Sequence, residues 1–270
     1  MIRNKFYVID AHCHVYPDAI AAKAARATCR FYDFDDPAND GTIGRLLAIA
    51  EESGIDGFVI QSVATTPHQV EDINRFIAAS VAAHPGVLYG LGTLHPDCAD
   101  MAAEVRLIVS LGLHGVKLHP DIQRVALDDD RCRRIFRLCA DEGLPVLLHT
   151  GDRRYDYSNP NRLIPILREF PDLQVVGAHF GGFSVWEEAT AALADFGNLS
   201  VDCSSSLGFL SADKARQLVG RYGASRVMFG SDYPLWQPQH EAELLLGLNL
   251  SAEDTAAIFS ENAKRVYHLQ

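Results

Sequence analysis

Four absences narrow the class of this chain before any motif is read. None of its six cysteines falls in a CxxC spacing, which excludes a zinc ribbon and a thioredoxin-type dithiol. The scattered thiols suit free, mostly buried side chains in a reducing compartment. No apolar run approaches the ~20 residues needed to span a bilayer. Met1–Asp10 carries two basic residues and only a short apolar stretch, so neither a secretory leader nor a membrane anchor is expected, and the expected location is the cytoplasm. Positive charge is also scarce, with 24 Lys and Arg against 35 Asp and Glu and a formal net charge of −11. A field of that sign opposes nucleic acid and anionic membranes. It leaves room for a local Lys or Arg to meet a small anionic substrate. Finally, no glycine-rich dinucleotide fingerprint follows the first apolar run, which weakens an open nucleotide-binding sheet.

What is present is an alternation. Short runs rich in Val, Ile and Leu read as buried parallel strands at Tyr7–Ala11, Gly57–Gln61, Leu88–Thr93, Gly115–Leu118, Pro145–His149, Gln174–Ala178, Leu199–Asp202 and Arg226–Gly230. Between and after them lie segments with helical spacing: Thr42–Ser53, His68–Ala83, Met101–Leu111, Arg131–Glu142, Arg162–Glu169, Val185–Ala194, Ala212–Arg221 and Ala252–Val266. Gly54, Gly112, Gly143 and Gly223 stand where helices stop. Eight strand–helix units in 270 residues, 48% of them hydrophobic, predict an α/β fold, a (β/α)₈ barrel of TIM type forming one domain over 1–270. A long excursion at about 15–41, containing Tyr16, Arg26, Arg30, Phe31 and Tyr32, falls on the catalytic face of such a barrel. A second at 153–161 holds Arg153, Arg154, Tyr155 and Tyr157. No internal repeat is visible.

The chemistry gathers at the strand ends. In Asp10-Ala11-His12-Cys13-His14 the two histidines stand two residues apart, so an extended strand points both to one side and Cys13 to the other. His149 closes Leu-Pro-Val-Leu-Leu-His, His179 closes Gln-Val-Val-Gly-Ala-His, and Asp232 follows Arg-Val-Met-Phe-Gly-Ser. A barrel brings all strand C-termini to one rim, so His12, His14, His149, His179 and Asp232 are candidate ligands of one metal centre. Each histidine alone could equally be satisfied by backbone hydrogen bonds. Imidazole and carboxylate donors suit zinc, with manganese, cobalt or iron as substitutes, and one or two ions. Such an ion lowers the pKa of bound water to roughly 7. Asp232 is then a candidate proton acceptor as well as a ligand. His119 and His95 also stand at strand ends and are candidates for the pocket wall.

These pieces resemble the amidohydrolase superfamily, in particular its amidohydrolase 2 branch related to aminocarboxymuconate-semialdehyde decarboxylase. The resemblance rests on Ile9-Asp10-Ala11-His12-Cys13-His14, Gly115-Val116-Lys117-Leu118-His119-Pro120, Leu148-His149-Thr150-Gly151, Ala178-His179-Phe180-Gly181-Gly182, Phe229-Gly230-Ser231-Asp232-Tyr233-Pro234 and Glu261-Asn262-Ala263. It covers nearly the whole chain in order. It implies that His12, His14, His149 and Asp232 hold one metal, and that His179 either binds a second or acts on the substrate as electrophile or acid. Lys117 is read as a substrate contact together with His119. The resemblance also offers Lys117 as a carboxylated bridge between two metals, and a structural ion pair inside the barrel is the plainer alternative. Arg153 and Arg154 could meet a substrate carboxylate, and Tyr233 and Trp236 could wall the pocket. Because the superfamily is mostly hydrolytic, the first expectation is hydrolysis of a small-molecule amide, lactone or ester by metal-activated water. The second is metal-dependent, non-oxidative decarboxylation of an aromatic or unsaturated acid. A non-catalytic metal-binding protein is a third reading, and the sequence leaves homo-oligomerisation open.

Overall fold

The computed structural model describes residues 5–270, so part of the Met1–Asp10 segment read for a leader lies outside it. All eight expected strands form: β1 Ile9–His14, β2 Gly57–Gln61, β3 made of Leu88–Gly90 and Gly92–Thr93, β4 Val116–Leu118, β5 Val146–Leu148, β6 Val175–Gly177, β7 Leu199–Asp202 and β8 Val227–Met228. Each pairs in parallel with the next, from β1 to β8. The circle closes where Ala11 N donates to Phe229 O at 2.9 Å, Asp232 N to His12 O at 2.9 Å and His14 N to Tyr233 O at 2.6 Å. The single-domain α/β barrel is therefore present as expected.

The closing bonds explain one shift from the sequence reading. The first strand was expected at Tyr7–Ala11 but runs from Ile9 to His14, because the chain after β8 continues to pair with it. The histidine pair lies within the strand rather than beyond it.

Alternation along the strands sorts the core into two layers. On β2, Phe58 and Ile60 face the helices while Val59 faces the barrel axis, the period of two expected of a strand. Cys13 likewise joins the outer layer. Inside, Ala11, Val59, Leu91, Leu147, Val176 and Met228 fill the barrel, and Tyr267 from the C-terminal helix plugs its lower end. Above this apolar plug the interior turns polar with Lys117, His149 and Asp202.

Most expected helices appear within two residues of their predicted bounds. Gly54, Gly112, Gly143 and Gly223 all have positive φ at or just beyond helix ends. The excursion at 15–41 is more than loop, for it contains α1, Ala21–Tyr32. Five of its twelve residues are alanine, the strongest helix former. The helix buries Ala21, Ala25 and Cys29, one position per turn, and ends at Asp33 in the left-handed region. Two further helices, Pro120–Gln123 and Pro238–Leu246, escaped the sequence reading, each opening on proline at a first-turn position. The expected C-terminal helix is broken by a π turn at Ala257–Glu261. Among the described residues, no helix is long and apolar enough to cross a membrane.

Candidate metal centre and active-site cavity

The barrel closure that extends β1 also builds the centre. By bonding to the His12 carbonyl, the Asp232 amide sets that carboxylate beside both histidines of the first strand. His12 Nε2 lies 3.2 Å from His14 Nε2 and 3.4 Å from Asp232 Oδ1, and His14 Nε2 lies 3.6 Å from the same oxygen. Donors bound to one ion at ~2.1 Å stand about 3.0–3.5 Å apart in octahedral or tetrahedral geometry. The three-donor set therefore fits a divalent ion. Gly230 makes the approach possible, since a Cβ there would lie 2.8 Å from His12 Cβ. Asp232 has φ 62° and His179 φ 59°, left-handed conformations that non-glycine residues hold only where their surroundings enforce them.

A second layer orients the ligands. His12 Nδ1 donates to Asp202 Oδ2 at 2.9 Å, which turns the lone pair of Nε2 into the site. Burial would raise the Asp202 carboxyl, but His12 beside it outweighs that cost and holds it well below the usual carboxylate range. His179 Nδ1 donates to Ser204 O at 2.9 Å. Ser205 Oγ donates to Asp232 Oδ2 at 2.6 Å. Burial also opposes ionisation of Asp232, yet His12 beside it and the Ser205 hydroxyl keep its pKa lowered.

The imidazoles of His14, His149 and His179 are kept neutral. Burial drives His14 and His149 well below the ordinary histidine value, with Lys117 adding to the effect on His14 and His119 on His149. His179 falls to about 4 for the same first reason. Neutral rings with free lone pairs are the state a metal needs.

His149 and His179 stand on neighbouring strand ends, 3.1 Å apart from Nδ1 to Nε2. Their loops interlock through glycine. Gly151, at φ +71°, packs so closely on Gly182 that a Cβ would sit 2.6 Å from its Cα. His149 does not face the three-donor cluster directly. Its ring stacks on His119 with centroids 4.0 Å apart, and its Nε2 lies 3.6 Å from Asp121 Oδ2. His119, Asp121 and His149 form a second group with metal-competent donors, though Ser158 already donates to Asp121 through both its amide and its hydroxyl.

Lys117 is buried at 1% exposure, with Nζ 3.2 Å from His12 Nε2. Burial lowers its pKa to about 8, against the pull of Asp232 and Asp202. It is the only Lys or Arg among the described residues lining a cavity of about 270 Å³ over the centre. His12, His14, His119, His149, His179 and Asp232 all reach this cavity. The remaining wall is largely apolar or aromatic, including Ala24, Ala27, Phe31, Val63, Ile122 and Leu235.

Other sequence candidates lie elsewhere. His95 is absent from the cavity wall and accepts from the Asp97 amide at 3.2 Å. Arg153 is held by Ser184. Arg154 pairs with Asp152 and Asp33 and lies over the rings of Phe31, Tyr32 and Tyr155. Tyr233 turns into the core and donates to Thr42 O at 2.8 Å, while Trp236 donates to Ser205 Oγ at 2.8 Å in an adjoining pocket.

Three site residues went unassigned by sequence. Tyr32, the last residue of α1, puts its hydroxyl 2.7 Å from His119 Nε2 and 3.2 Å from His149 Nδ1. His119 Nδ1 accepts from the Ile122 amide at 3.3 Å, so in the neutral ring Nε2 carries the proton and donates to Tyr32. Asp202 ends a strand as the histidines do, and the same rule could have found it. Asp121 carries no local signal beyond following His119-Pro120.

The sequence model of the amidohydrolase family matches residues 9–269. A 2-amino-3-carboxymuconate-6-semialdehyde decarboxylase of Dictyostelium discoideum is 26% identical over 132 residues, which is 41% of this chain and 37% of that protein. The chain thus matches little more than a third of that relative's length. The 5-carboxyvanillate decarboxylase of Sphingomonas paucimobilis superposes with a TM-score of 0.75 at 20% identity, covering 98% of this chain and 100% of that one. A dihydroxybenzoic acid decarboxylase from Polaromonas sp. JS666, with bound manganese and 2-nitroresorcinol, gives 0.74 at 16% identity over 98% and 97%. These names overturn the first expectation of amide, lactone or ester hydrolysis, because the relatives with a named activity are decarboxylases. The misreading has a chemical cause, since one set of His and Asp ligands serves both reactions and carries no mark of either. With its matched length, its closed barrel and its divalent-metal donors, the chain belongs to the amidohydrolase family as an enzyme of that superfamily.

Proposed function

We propose that this enzyme is a metal-dependent, non-oxidative decarboxylase of a small aromatic or unsaturated carboxylic acid. The observation that carries the reading is Lys117. Its amine is a fixed charge beside the three-donor cluster, at the floor of an otherwise mostly apolar cavity. A substrate carboxylate entering that cavity meets one cation at close range, in surroundings of low dielectric where the attraction is strong. The named relatives add support by analogy.

In this reading His12, His14 and Asp232 would hold the ion, while His149 stays in the neighbouring group with His119 and Asp121. Bound there, the ion supplies a Lewis acid that anchors oxygen donors of the substrate and draws electron density from its unsaturated system. Manganese is the favoured ion in place of the zinc expected from sequence, because a similar barrel carries it. Lys117 orients the carboxylate, with His119 beside it. Asp232, ionised at rest, would take up a proton from an acidic hydroxyl of the substrate or from solvent and pass it to the carbon bearing that carboxylate, and the carbon–carbon bond then breaks. Its electron pair returns to the unsaturated system as carbon dioxide leaves. His179, fixed through Nδ1 on the Ser204 carbonyl, turns the lone pair of Nε2 toward the cavity and accepts a hydrogen bond from a substrate hydroxyl. The apolar wall excludes water, which removes the competing nucleophile.

The test is carbon dioxide release from manganese-reconstituted protein offered hydroxybenzoic and unsaturated dicarboxylic acids. Metal-dependent release that falls about a hundredfold in Lys117→Met is expected. Cleavage of lactones or amides without any carbon dioxide from the acids would overturn the proposal.

A further inference from the structure

Beside the metal cavity lies a larger space that the proposed reaction does not use. It has a volume of about 610 Å³ and runs between α1 and the helix Val70–Ala83, which follows β2. Tyr16, Ala24, Ala27, Val63 and Thr65 line both spaces, so the two share a wall and meet along it. The far side is apolar, made by Ile20, Ile73 and Phe76. Charged and titratable groups stand toward the rim, Lys23, His68 and Asp72, all exposed.

Close packing is the rule where helices meet, and here it fails beside the catalytic cavity. Alanines at 24 and 27 leave the gap that larger residues on α1 would fill. Ile20, 51% exposed, is left uncovered at its edge. A cavity of about 150 Å³ suffices for a benzene ring, so the inner cavity of about 270 Å³ accepts an ion and a single-ring acid with little to spare. A larger substrate has the neighbouring space to extend into.

We propose that this space is a second substrate subsite, which takes an uncharged apolar extension about the size of a further aromatic ring on the acid decarboxylated at the metal. The carboxylate end is held at Lys117, and the extension passes Ala24 and Ala27 to lie against Ile73 and Phe76. The inference rests on the carboxylic-acid reading of the inner site and adds the size and polarity of the substrate's distal part. The wall shared with the catalytic cavity selects this occupant over a second copy of the chain, which would need no place beside that cavity.

The test compares a hydroxybenzoate with its phenyl-extended biphenyl counterpart, each titrated calorimetrically into manganese-loaded, full-length protein. The extended acid is expected to bind at least tenfold more tightly. Ile73→Trp, which fills the outer space, is expected to abolish that preference. Ile20→Asp, at an exposed position that tolerates polarity, should reduce it and guards against misfolding of the tryptophan variant. Equal affinity of the two acids in the unaltered protein would overturn the subsite. So would a preference that survives both substitutions. A dimer in sedimentation that Ile20→Asp dissociates, with no gain from the extended acid, would reassign the face to self-association. Tight binding of the extended acid without carbon dioxide release would refute decarboxylation while leaving the subsite in place.

Discussion

The two ends of the barrel are built from the same strands to opposite purposes. At the lower end Val59, Leu91, Leu147, Val176 and Met228 meet beneath the strand tips, and Tyr267 seals them. At the upper end the same strands deliver His12, His14, Lys117, His149 and Asp202. On β5 the change takes two residues, from Leu147 in the plug to His149 at the cavity. Burial is near complete at both ends, so exclusion of water alone does not distinguish them. The difference is that burial below removes apolar surface from water, whereas burial above forces ionisable groups into partnerships or neutrality. Stability and reactivity are thereby separated by about one side-chain layer, and substitutions on either side of it should behave differently.

The sharpest break should come at the rim. Asp232→Asn is expected to lower turnover by about a thousandfold and to reduce bound metal, with a melting temperature within a few degrees of the original. Activity assays beside elemental analysis measure both, and near-normal turnover in a metal-loaded variant would remove Asp232 from the chemistry. The reverse pattern is expected below. Leu147→Ala should cost about 3 kcal/mol of stability through the cavity it leaves, as read by denaturant unfolding. Its kcat per folded molecule should stay within about threefold, and a larger loss would mean that the two layers are mechanically coupled.

Tyr32 tests where the rim ends. Its hydroxyl touches His119 and His149 from a helix outside the barrel, so Tyr32→Phe should reduce kcat/KM by about tenfold while the fold persists. A change below twofold would make α1 a mere cover. The smallest effect concerns Glu241, buried at 3% exposure with Oε2 unpartnered. Burial, reinforced by Asp10 and Asp232, raises its pKa from 4.5 to about 8. A raised carboxyl remains protonated in the folded chain while the unfolded chain ionises, so stability falls as pH climbs from about 4.5 to about 8. Glu241→Gln should flatten that fall and be more stable than the parent at pH 8. The two proteins should match near pH 4, and parallel stability curves across this range would refute the assignment.

Much of this division was legible in the sequence, for definable reasons. Strand periodicity and strand-end position depend on local order, and they located His12, His14, His149, His179 and Asp232 on one rim. The upper layer's partners were harder. Asp202 shares the strand-end signal, yet a lone aspartate there looks like any turn residue until His12 is seen 2.9 Å away. Tyr32 was legible only as part of an excursion on the catalytic face, because its exact place follows from how α1 folds over the barrel and from Arg154 holding that end of the helix through Phe31 O and Asp33. The direction of the reaction was not legible either. Ligand identity says that a divalent ion can be held, while the choice between water and a proton as the attacking species depends on a cavity assembled from distant segments.

That choice is also the most direct test of the account. Manganese-loaded enzyme would be incubated with a hydroxybenzoic acid in deuterium oxide and the product followed by NMR and mass spectrometry. The account predicts one deuterium at the carbon that carried the carboxylate, with one carbon dioxide released per product. Parallel incubations of lactone and amide substrates in ¹⁸O-labelled water that yield labelled acids, with no deuterium entering the hydroxybenzoate, would contradict it.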